Sequence, residues 1–182
     1  KLMKVTETDL PGAVIIEPDV FGDERGFFKE TYHQDRYRIE AGIEESFVQD
    51  NYSRSTAGVL RGLHFQKTKP QGKLVSVSQG AVFDVAVDID PDSATFKQWV
   101  GVHLSGENHI QFYVPPGYAH GFLVLSEIAD FQYKCTELYN PDDEGGIHWD
   151  DKEIAIQWPT SEQLLVSQKD AALPTLSDYL EN

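Results

Sequence analysis

The segment LRGLHFQ, residues Leu60–Gln66, places an arginine and a histidine in a run that is typical of a buried β-strand. Ionisable side chains are rarely buried unless they are paired. Arg61 and His64 therefore belong either to a structural pair in the core or to a functional site. A neutral histidine can remove a proton from a carbon atom next to a carbonyl group, so His64 is a candidate general base.

A second histidine follows a forced turn in VPPGYAHGF, residues 114–122. Two prolines and a glycine make the turn, and His120 opens the next strand. The P-x-G-x-x-H pattern resembles the second signature of the cupin superfamily, whose members are small jelly-roll barrels. Metal-binding cupins also carry an H-x-H pair and a glutamate, where this chain offers only His64. A transition metal needs about three converging ligands, so we expect no metal.

Residues 81–88, AVFDVAVD, alternate with Phe83, Val85 and Val87 on one face. Asp84 and Asp88 lie on the face opposite three large apolar residues, and the alternation does not say which face is inside. We expect Asp88 to be an ordinary surface carboxylate, whereas Asp84 points into a pocket if the barrel interior is polar. A pocket that also holds Lys73 and Tyr133 has the groups for enolate chemistry: a base, a cation and an acid.

The elements that must position these groups are mostly strands. Alternation and turn residues predict an all-β fold, a jelly-roll barrel or sandwich with a few short peripheral helices, and one domain over residues 1–182. A helix is predicted at 33–41, ending at Gly42, and a short one at 176–180. Strands are predicted at residues 14–18, 27–32, 47–53, 73–78, 81–88, 99–104, 110–114, 121–125 and 131–138, with Gln79-Gly80 as a turn.

The composition excludes several classes of partner. Fifteen basic against thirty acidic residues give a formal net charge of -15, which disfavours nucleic acid and anionic membranes. A single cysteine, Cys135, suits a reducing compartment, and the N-terminus has no signal-peptide pattern. We therefore expect a cytoplasmic protein. An anionic ligand would need its own group of arginines and lysines.

Eight motifs in register resemble the dTDP-4-dehydrorhamnose 3,5-epimerase family of the cupin superfamily. The resemblance runs from about residue 5 to residue 175. The motifs are GDERGFFKE (22–30), FVQDN (47–51), LRGLHFQ (60–66), QGKLV (71–75), FDVAVD (83–88), PPGYAHGF (115–122), YKCTELY (133–139) and SQKDAALP (167–174).

The resemblance implies an isomerase of dTDP-L-rhamnose biosynthesis that epimerises a dTDP-4-keto-6-deoxy sugar at C3 and C5. It implies a homodimer with no cofactor and no metal. His64 matches the general base, Asp170 the carboxylate that orients it, Tyr133 the general acid and Lys73 the cation near the 4-keto oxygen. The matching substrate-binding positions are Arg25, Glu30, Gln49, Asp50, Asn51, Arg61, His120, Glu144, Lys169 and Tyr139, the last stacking on the thymine base.

Three questions stay open at this point. Strict alternation puts Arg61 and His64 on opposite faces. Either Gly62 hosts a bulge that brings both side chains into one site, or Arg61 acts elsewhere, for example across a dimer interface. An epimerase that inverts only C3 or only C5 of a related sugar would keep similar residues. A non-catalytic nucleotide-sugar-binding cupin would not need His64, Asp170 and Tyr133 together.

Overall fold

Two antiparallel β-sheets face each other in a computed structural model that describes residues 2–160 and 162–182. The larger sheet has the strand order β1-β2-β10-β7-β12-β5, the smaller one has the order β13-β6-β11-β8-β9, and β3 and β4 form a separate hairpin. The strands are β1 (Met3–Glu7), β2 (Val14–Pro18), β3 (Val20–Asp23), β4 (Gly26–Lys29), β5 (Gln49–Thr56), β6 (Leu60–Gln66), β7 (Lys73–Gln79), β8 (Ala81–Val87), β9 (Trp99–Ser105), β10 (Gln111–Val114), β11 (Ala119–Val124), β12 (Ile128–Cys135) and β13 (Glu144–Gly146).

The core lies between the two sheets. Strand β7 contributes Val75 and Val77 from the larger sheet, and they pack with Phe122 and Val124 of β11 in the smaller sheet. A second core covers the outer face of the smaller sheet, where Phe83, Val85 and Val87 pack against the C-terminal segment. Strand β8 is thus buried on both faces, and its alternating residues divide between two cores.

This architecture confirms the all-β, jelly-roll expectation. The strands at 14–18, 73–78 and 81–88 are found within a residue of their predicted ends. The strand predicted at 131–138 is wrong at its C-terminal end, since β12 finishes at Cys135. Its continuation is held in a loop, where the Thr136 amide donates to the Gly72 carbonyl and Gln71 donates to the Glu137 carbonyl. Strands β1, β3 and β13 were not predicted.

The helices are short and peripheral. Helix α1 (Gln34–Ala41) has the His33 side chain as its N-cap and ends at Gly42, which has φ +71°, as predicted. Helix α2 (Gln168–Ala171) was not predicted, and α3 (Leu176–Glu181) matches the predicted C-terminal turn. Within the described ranges, the helices are all too short or too polar to cross a bilayer.

A bulge in β6 resolves the conflict between Arg61 and His64. His120 of β11 pairs with His64, but Phe122 pairs with Arg61, so three steps along β6 oppose two along β11. Gly62 takes the extra position with φ +127°, a conformation that favours glycine. Arg61 and His64 consequently both point into the space between the sheets.

We predict that Gly62→Ala destabilises the fold more than Gly26→Ala does. Both glycines have φ near +130°, which costs a side-chain-bearing residue about 1–3 kcal/mol. A Cβ on Gly62 would also lie 2.7 Å from the Gly121 Cα atom and 2.8 Å from the His120 carbonyl oxygen, whereas a Cβ on Gly26 meets nothing within 4 Å. We expect the overlap to add about 1–3 kcal/mol to the loss in Gly62→Ala.

Urea unfolding of both variants at one protein concentration gives the two free energies of unfolding. Equal losses in the two variants would show that β11 yields to the added methyl group and that the bulge is not tightly enclosed.

Candidate active site

The centre of the site is a histidine–carboxylate pair. His64 Nε2 lies 2.7 Å from Asp170 Oδ1, and the two residues are 106 positions apart in the sequence. A carboxylate can only accept a hydrogen bond, so Nε2 carries the hydrogen. Nδ1 is then the nitrogen left to accept a proton. The His64 side chain is 32% exposed, so a ligand can reach it.

Asp170 is fixed from three directions. Its backbone amide donates to the Ser167 hydroxyl, the N-cap of α2, and its second carboxylate oxygen accepts the Gly62 backbone amide at 3.1 Å. Burial raises the pKa of Asp170, but the hydrogen bonds from His64 and Gly62 outweigh burial and leave the pKa below its usual range. Asp170 is therefore a negatively charged anchor for the His64 ring.

The opposite wall of the site belongs to the larger sheet. Tyr133 on β12 packs against the core between the sheets, and Lys73 at the start of β7 holds its Nζ 5.4 Å from the centre of the Tyr133 ring. Burial raises the pKa of Tyr133 and lowers that of Lys73. The Tyr133 hydroxyl thus keeps its proton at neutral pH. The Arg61 charge acts on Tyr133 in the opposite sense, and the Arg61 guanidinium donates to Ser55.

Five of the predicted binding residues form one hydrogen-bonded chain beside the His64–Asp170 pair. Lys169 Nζ donates to Glu144 Oε2 at 2.7 Å, and the Tyr139 hydroxyl donates to the same oxygen at 3.2 Å. The Tyr139 amide donates to Gln49, whose side chain donates in turn to Asn51. The Glu144 bond raises the pKa of Lys169 and keeps its ammonium charged. A cation and an aromatic ring suit a nucleotide sugar.

Cavities around His64 join these groups. One of ≈ 530 Å³ is lined by Arg61, His64, Lys169 and Asp170, with an apolar wall from residues 59–60 and 164–166. A second, of ≈ 300 Å³, lies between His64, Glu144 and Lys169. A third, of ≈ 10 Å³, lies between His64, Lys73 and His120. A separate cavity of ≈ 380 Å³, lined by Asp50, Tyr52 and Lys134 on the outer face of the larger sheet, also borders Tyr133 but does not join these groups.

Three predicted binding residues lie apart from this group in the chain. Arg25, in the turn of the β3–β4 hairpin, is exposed and pairs with Asp23 of the same hairpin. Glu30 accepts a hydrogen bond from Arg36 at 2.7 Å. Asp50 points away from the interior, because alternation along β5 turns it to the outer face, where it pairs with Lys134.

Two polar residues of the site escape prediction from the sequence. Asp84 is fully buried and bonds to His120 Nε2 at 2.8 Å, an arrangement that the alternation in β8 allowed but did not determine. Gln66 accepts from the Asn140 amide and donates to the carbonyls of Lys69 and Leu138, so it holds the loop that carries Tyr139. The expectation that Asp88 is a surface carboxylate is wrong, since it is buried and accepts from the loop that follows β8.

Comparison with known proteins gives a consistent answer. The family model for dTDP-4-dehydrorhamnose 3,5-epimerase matches residues 7–178. The dTDP-4-dehydrorhamnose 3,5-epimerase of Escherichia coli K12 is 52% identical over 179 residues, which is 98% of this chain and 97% of the relative.

Solved structures agree with the sequence relatives. The dTDP-6-deoxy-D-glucose-3,5-epimerase of Legionella pneumophila, in complex with dTDP-4-keto-L-rhamnose, superposes with a TM-score of 0.94 at 56% identity, covering 96% of this chain and 93% of that one. A 3′-monoepimerase from Streptomyces bikiniensis, in complex with dTDP-quinovose, has a TM-score of 0.89 at 30% identity, covering 96% and 89%. The chain belongs to the dTDP-4-dehydrorhamnose 3,5-epimerase family, a family of isomerases.

Proposed function

We propose that the chain converts dTDP-4-dehydro-6-deoxy-D-glucose to dTDP-4-dehydro-L-rhamnose, with His64 as general base, Asp170 as its orienting partner, Tyr133 as general acid and Lys73 as the cation beside the 4-keto oxygen. Family membership supports the reaction. The residue roles rest on the geometry of the site. No cofactor or metal takes part in this mechanism.

The observation that carries the proposal is the placement of base and acid in different sheets. His64 projects from β6 of the smaller sheet, and Tyr133 projects from β12 of the larger sheet into the same interior. A sugar ring between the two walls has one face toward each group. Inversion requires that a proton leave one face of a carbon and arrive on the other, so this arrangement suits epimerisation.

Each inversion consists of two proton transfers. The C–H bond next to the 4-keto group breaks, its proton goes to Nδ1 of His64, and the electron pair moves to the 4-keto oxygen as an enolate. The Lys73 ammonium stabilises that oxygen. The Tyr133 hydroxyl then donates its proton to the opposite face of the same carbon, and solvent restores the protonation of both side chains. C3 and C5 both neighbour C4, so one set of groups serves both centres.

Proton NMR of dTDP-4-dehydro-6-deoxy-D-glucose in deuterated water tests the reaction directly. With the protein present and no reductase, we expect deuterium at C3 and C5, product with the L-rhamno configuration, and the same rate after exhaustive chelation. Exchange at one carbon would replace the double epimerase with a monoepimerase. Tight binding without exchange would leave only a nucleotide-sugar-binding protein, and loss of exchange on chelation would contradict the metal-free mechanism.

His64→Ala should lower kcat by about 10²–10⁴-fold, because it removes the base. Affinity for the nucleotide sugar should stay within about tenfold, or about 1.4 kcal/mol, since other residues bind the nucleotide. His103→Ala is the matched control, because His103 is an exposed strand histidine on β9. Steady-state kinetics and calorimetric titration measure the two effects. Loss of affinity with unchanged turnover of the bound complex would contradict the base assignment.

We also propose that the chain acts as a homodimer in which the β3–β4 hairpin of one subunit reaches the site of the other. The hairpin exposes Phe21, Phe27 and Phe28, the last two with 60% and 70% of their surface accessible. Such an apolar patch is typical of an interface. Among the described residues, the hydrogen bonds and ion pairs of Arg25 go to Asp23 of the same hairpin and not to the site, so a second copy would give Arg25 a role.

Mixing two inactive variants tests this arrangement. In a hybrid of Arg25→Ala and His64→Ala subunits, one of the two sites keeps both residues if Arg25 acts across the interface. Random exchange in a two-fold dimer should therefore restore about a quarter of the wild-type activity. Mixing His64→Ala with Asp170→Ala is the control and should restore none, because both residues belong to one chain's site. No recovery in the first mixture, with exchange of subunits verified, would place Arg25 in its own subunit's site or outside both.

The proposed compartment is the cytoplasm. Cys135 is the single cysteine of the sequence, so it has no partner within the chain for a disulfide, which suits a reducing compartment. Its thiol is buried, and burial raises its pKa to about 11, which makes it unreactive.

A further inference from the structure

Asp84 is the most deeply buried charged group in the part of the chain that the structure describes, with 0% of its surface exposed. One carboxylate oxygen bonds to His120 Nε2 at 2.8 Å. The other oxygen is also buried and has no hydrogen-bond partner among the described residues. Burying a carboxylate with an unpartnered oxygen lowers the stability of the fold. Stability therefore does not account for an aspartate at this position, and a functional role does.

Apart from His120 and the Lys73 ammonium, the surroundings of Asp84 are apolar. On the interior face of the smaller sheet its neighbours are Val82 and Ala86 on β8, and Val102 and Phe122 on the adjacent strands. An apolar residue of similar volume would fit this position as part of the core. Asp84 therefore adds two things that an apolar residue would not: the hydrogen bond to His120 and the electrostatic effect of its charge on the interior.

His120 and Lys73 connect Asp84 with the reacting end of the site. His120 is the cross-strand neighbour of His64, and His64, Lys73 and His120 line the ≈ 10 Å³ cavity. That volume is close to the smallest that holds one water-sized atom. Because His120 gives its Nε2 hydrogen to Asp84, its Nδ1 is left as an acceptor for a hydroxyl group or water in the cavity, and the Lys73 ammonium is the donor there.

We propose that Asp84 is a positioning residue for the epimerisation: it fixes the ring of His120 and supplies the negative charge that balances Lys73 next to the enolate oxygen. The inference rests on the proposed function of the site. Asp84 touches neither substrate nor reacting atoms in this arrangement. It acts through the two residues that do.

The electrostatics of the interior support the second role. Burial lowers the pKa of Lys73, and the negative charges of Asp84 and Glu144 oppose that change, as does the Cys135 thiol when it ionises. Burial likewise raises the pKa of Asp84, and the hydrogen bond from His120 and the charge of Lys73 oppose that rise, so Asp84 and Lys73 each favour the charged form of the other. The other titratable groups that face Lys73 are Tyr133, His120 and His64. Removing the Asp84 charge should therefore lower the pKa of Lys73. A nearby negative charge favours the protonated form of an amine, so the charge of Asp84 helps to keep Lys73 an ammonium.

Asp84→Asn tests the proposal with little change in shape. An amide oxygen can still accept from His120, but the charge is gone. We expect kcat to fall by about 10–100-fold, with KM within about threefold. In the pH profile of kcat, the basic limb should move to lower pH by about one unit, because activity needs Lys73 protonated and loss of the Asp84 charge lowers the Lys73 pKa. The melting temperature should not fall, since the substitution removes a desolvated charge.

Asp88→Asn is the matched control. Asp88 is also buried and lies four residues after Asp84, just past the end of β8, where it accepts hydrogen bonds from Asp90, Ser93 and Thr95 of the following loop. We expect it to lower the melting temperature while leaving kcat and its pH profile as in the wild type. A profile of Asp84→Asn that matches the wild type, or a loss of kcat that only follows the folded fraction, would overturn the inference.

Different results would contradict the proposed function of the protein and the proposed role of Asp84. If the wild-type protein does not exchange deuterium into the substrate, the proposed function itself is wrong. If the wild type exchanges at C3 and C5 and Asp84→Asn exchanges both at the same rate and with the same basic limb, only the role of Asp84 is wrong.

Discussion

The hydrogen bond between His64 and Asp170 is the interaction on which the rest of the site depends. It joins the middle of the smaller sheet to the C-terminal segment, and the same carboxylate accepts the amide of Gly62. Gly62 in turn hosts the bulge that turns Arg61 toward the interior. The orientation of the base, the course of β6 and the docking of α2 are consequently coupled, and a change in one alters the others.

The acidic composition limits how the site can bind an anion. With a formal net charge of -15, the chain repels a pyrophosphate except where cations are concentrated. Lys169 and Arg61 supply such charge near His64, and Lys73 supplies it inside the barrel. Each cation has a polar partner or an aromatic face, because an isolated charge in the interior would lose its proton or destabilise the fold. On the proposed function, Glu144 and Asp84 therefore contribute to binding and catalysis by holding the cations Lys169 and Lys73 in place.

Local pattern predicted most of the elements, but it missed β1, β3, β13 and α2 and did not determine the direction of every side chain. The alternation in β7 and β8 and the C-cap Gly42 predicted strand and helix closely, because period and turn chemistry are local. From the sequence, the bulge at Gly62 was one of two ways to explain Arg61 and His64. The sequence could not decide between them, because the bulge depends on the close approach of β11. Asp88 was misplaced because a loop folds back over it, and the end of β12 was misplaced because Gly72 and Gln71 bind its continuation. Asp170 was assigned by resemblance, as a partner 106 residues from His64 leaves no local signal.

One base and one acid, each fixed in a different sheet, constrain how two carbons can be inverted. The His64 ring is held by Asp170, and Tyr133 is held in a packed strand, so neither group can move from C3 to C5. On the proposed mechanism the sugar must therefore turn between the walls while its 4-keto oxygen stays near Lys73. On the same proposal the exposed Tyr139 and Lys169, which both bond to Glu144, bind the nucleotide end, where adjustment costs little. The number of centres inverted then depends on the space available to the ring rather than on the identity of the acid and base, which explains why a 3′-monoepimerase shares this fold at a TM-score of 0.89.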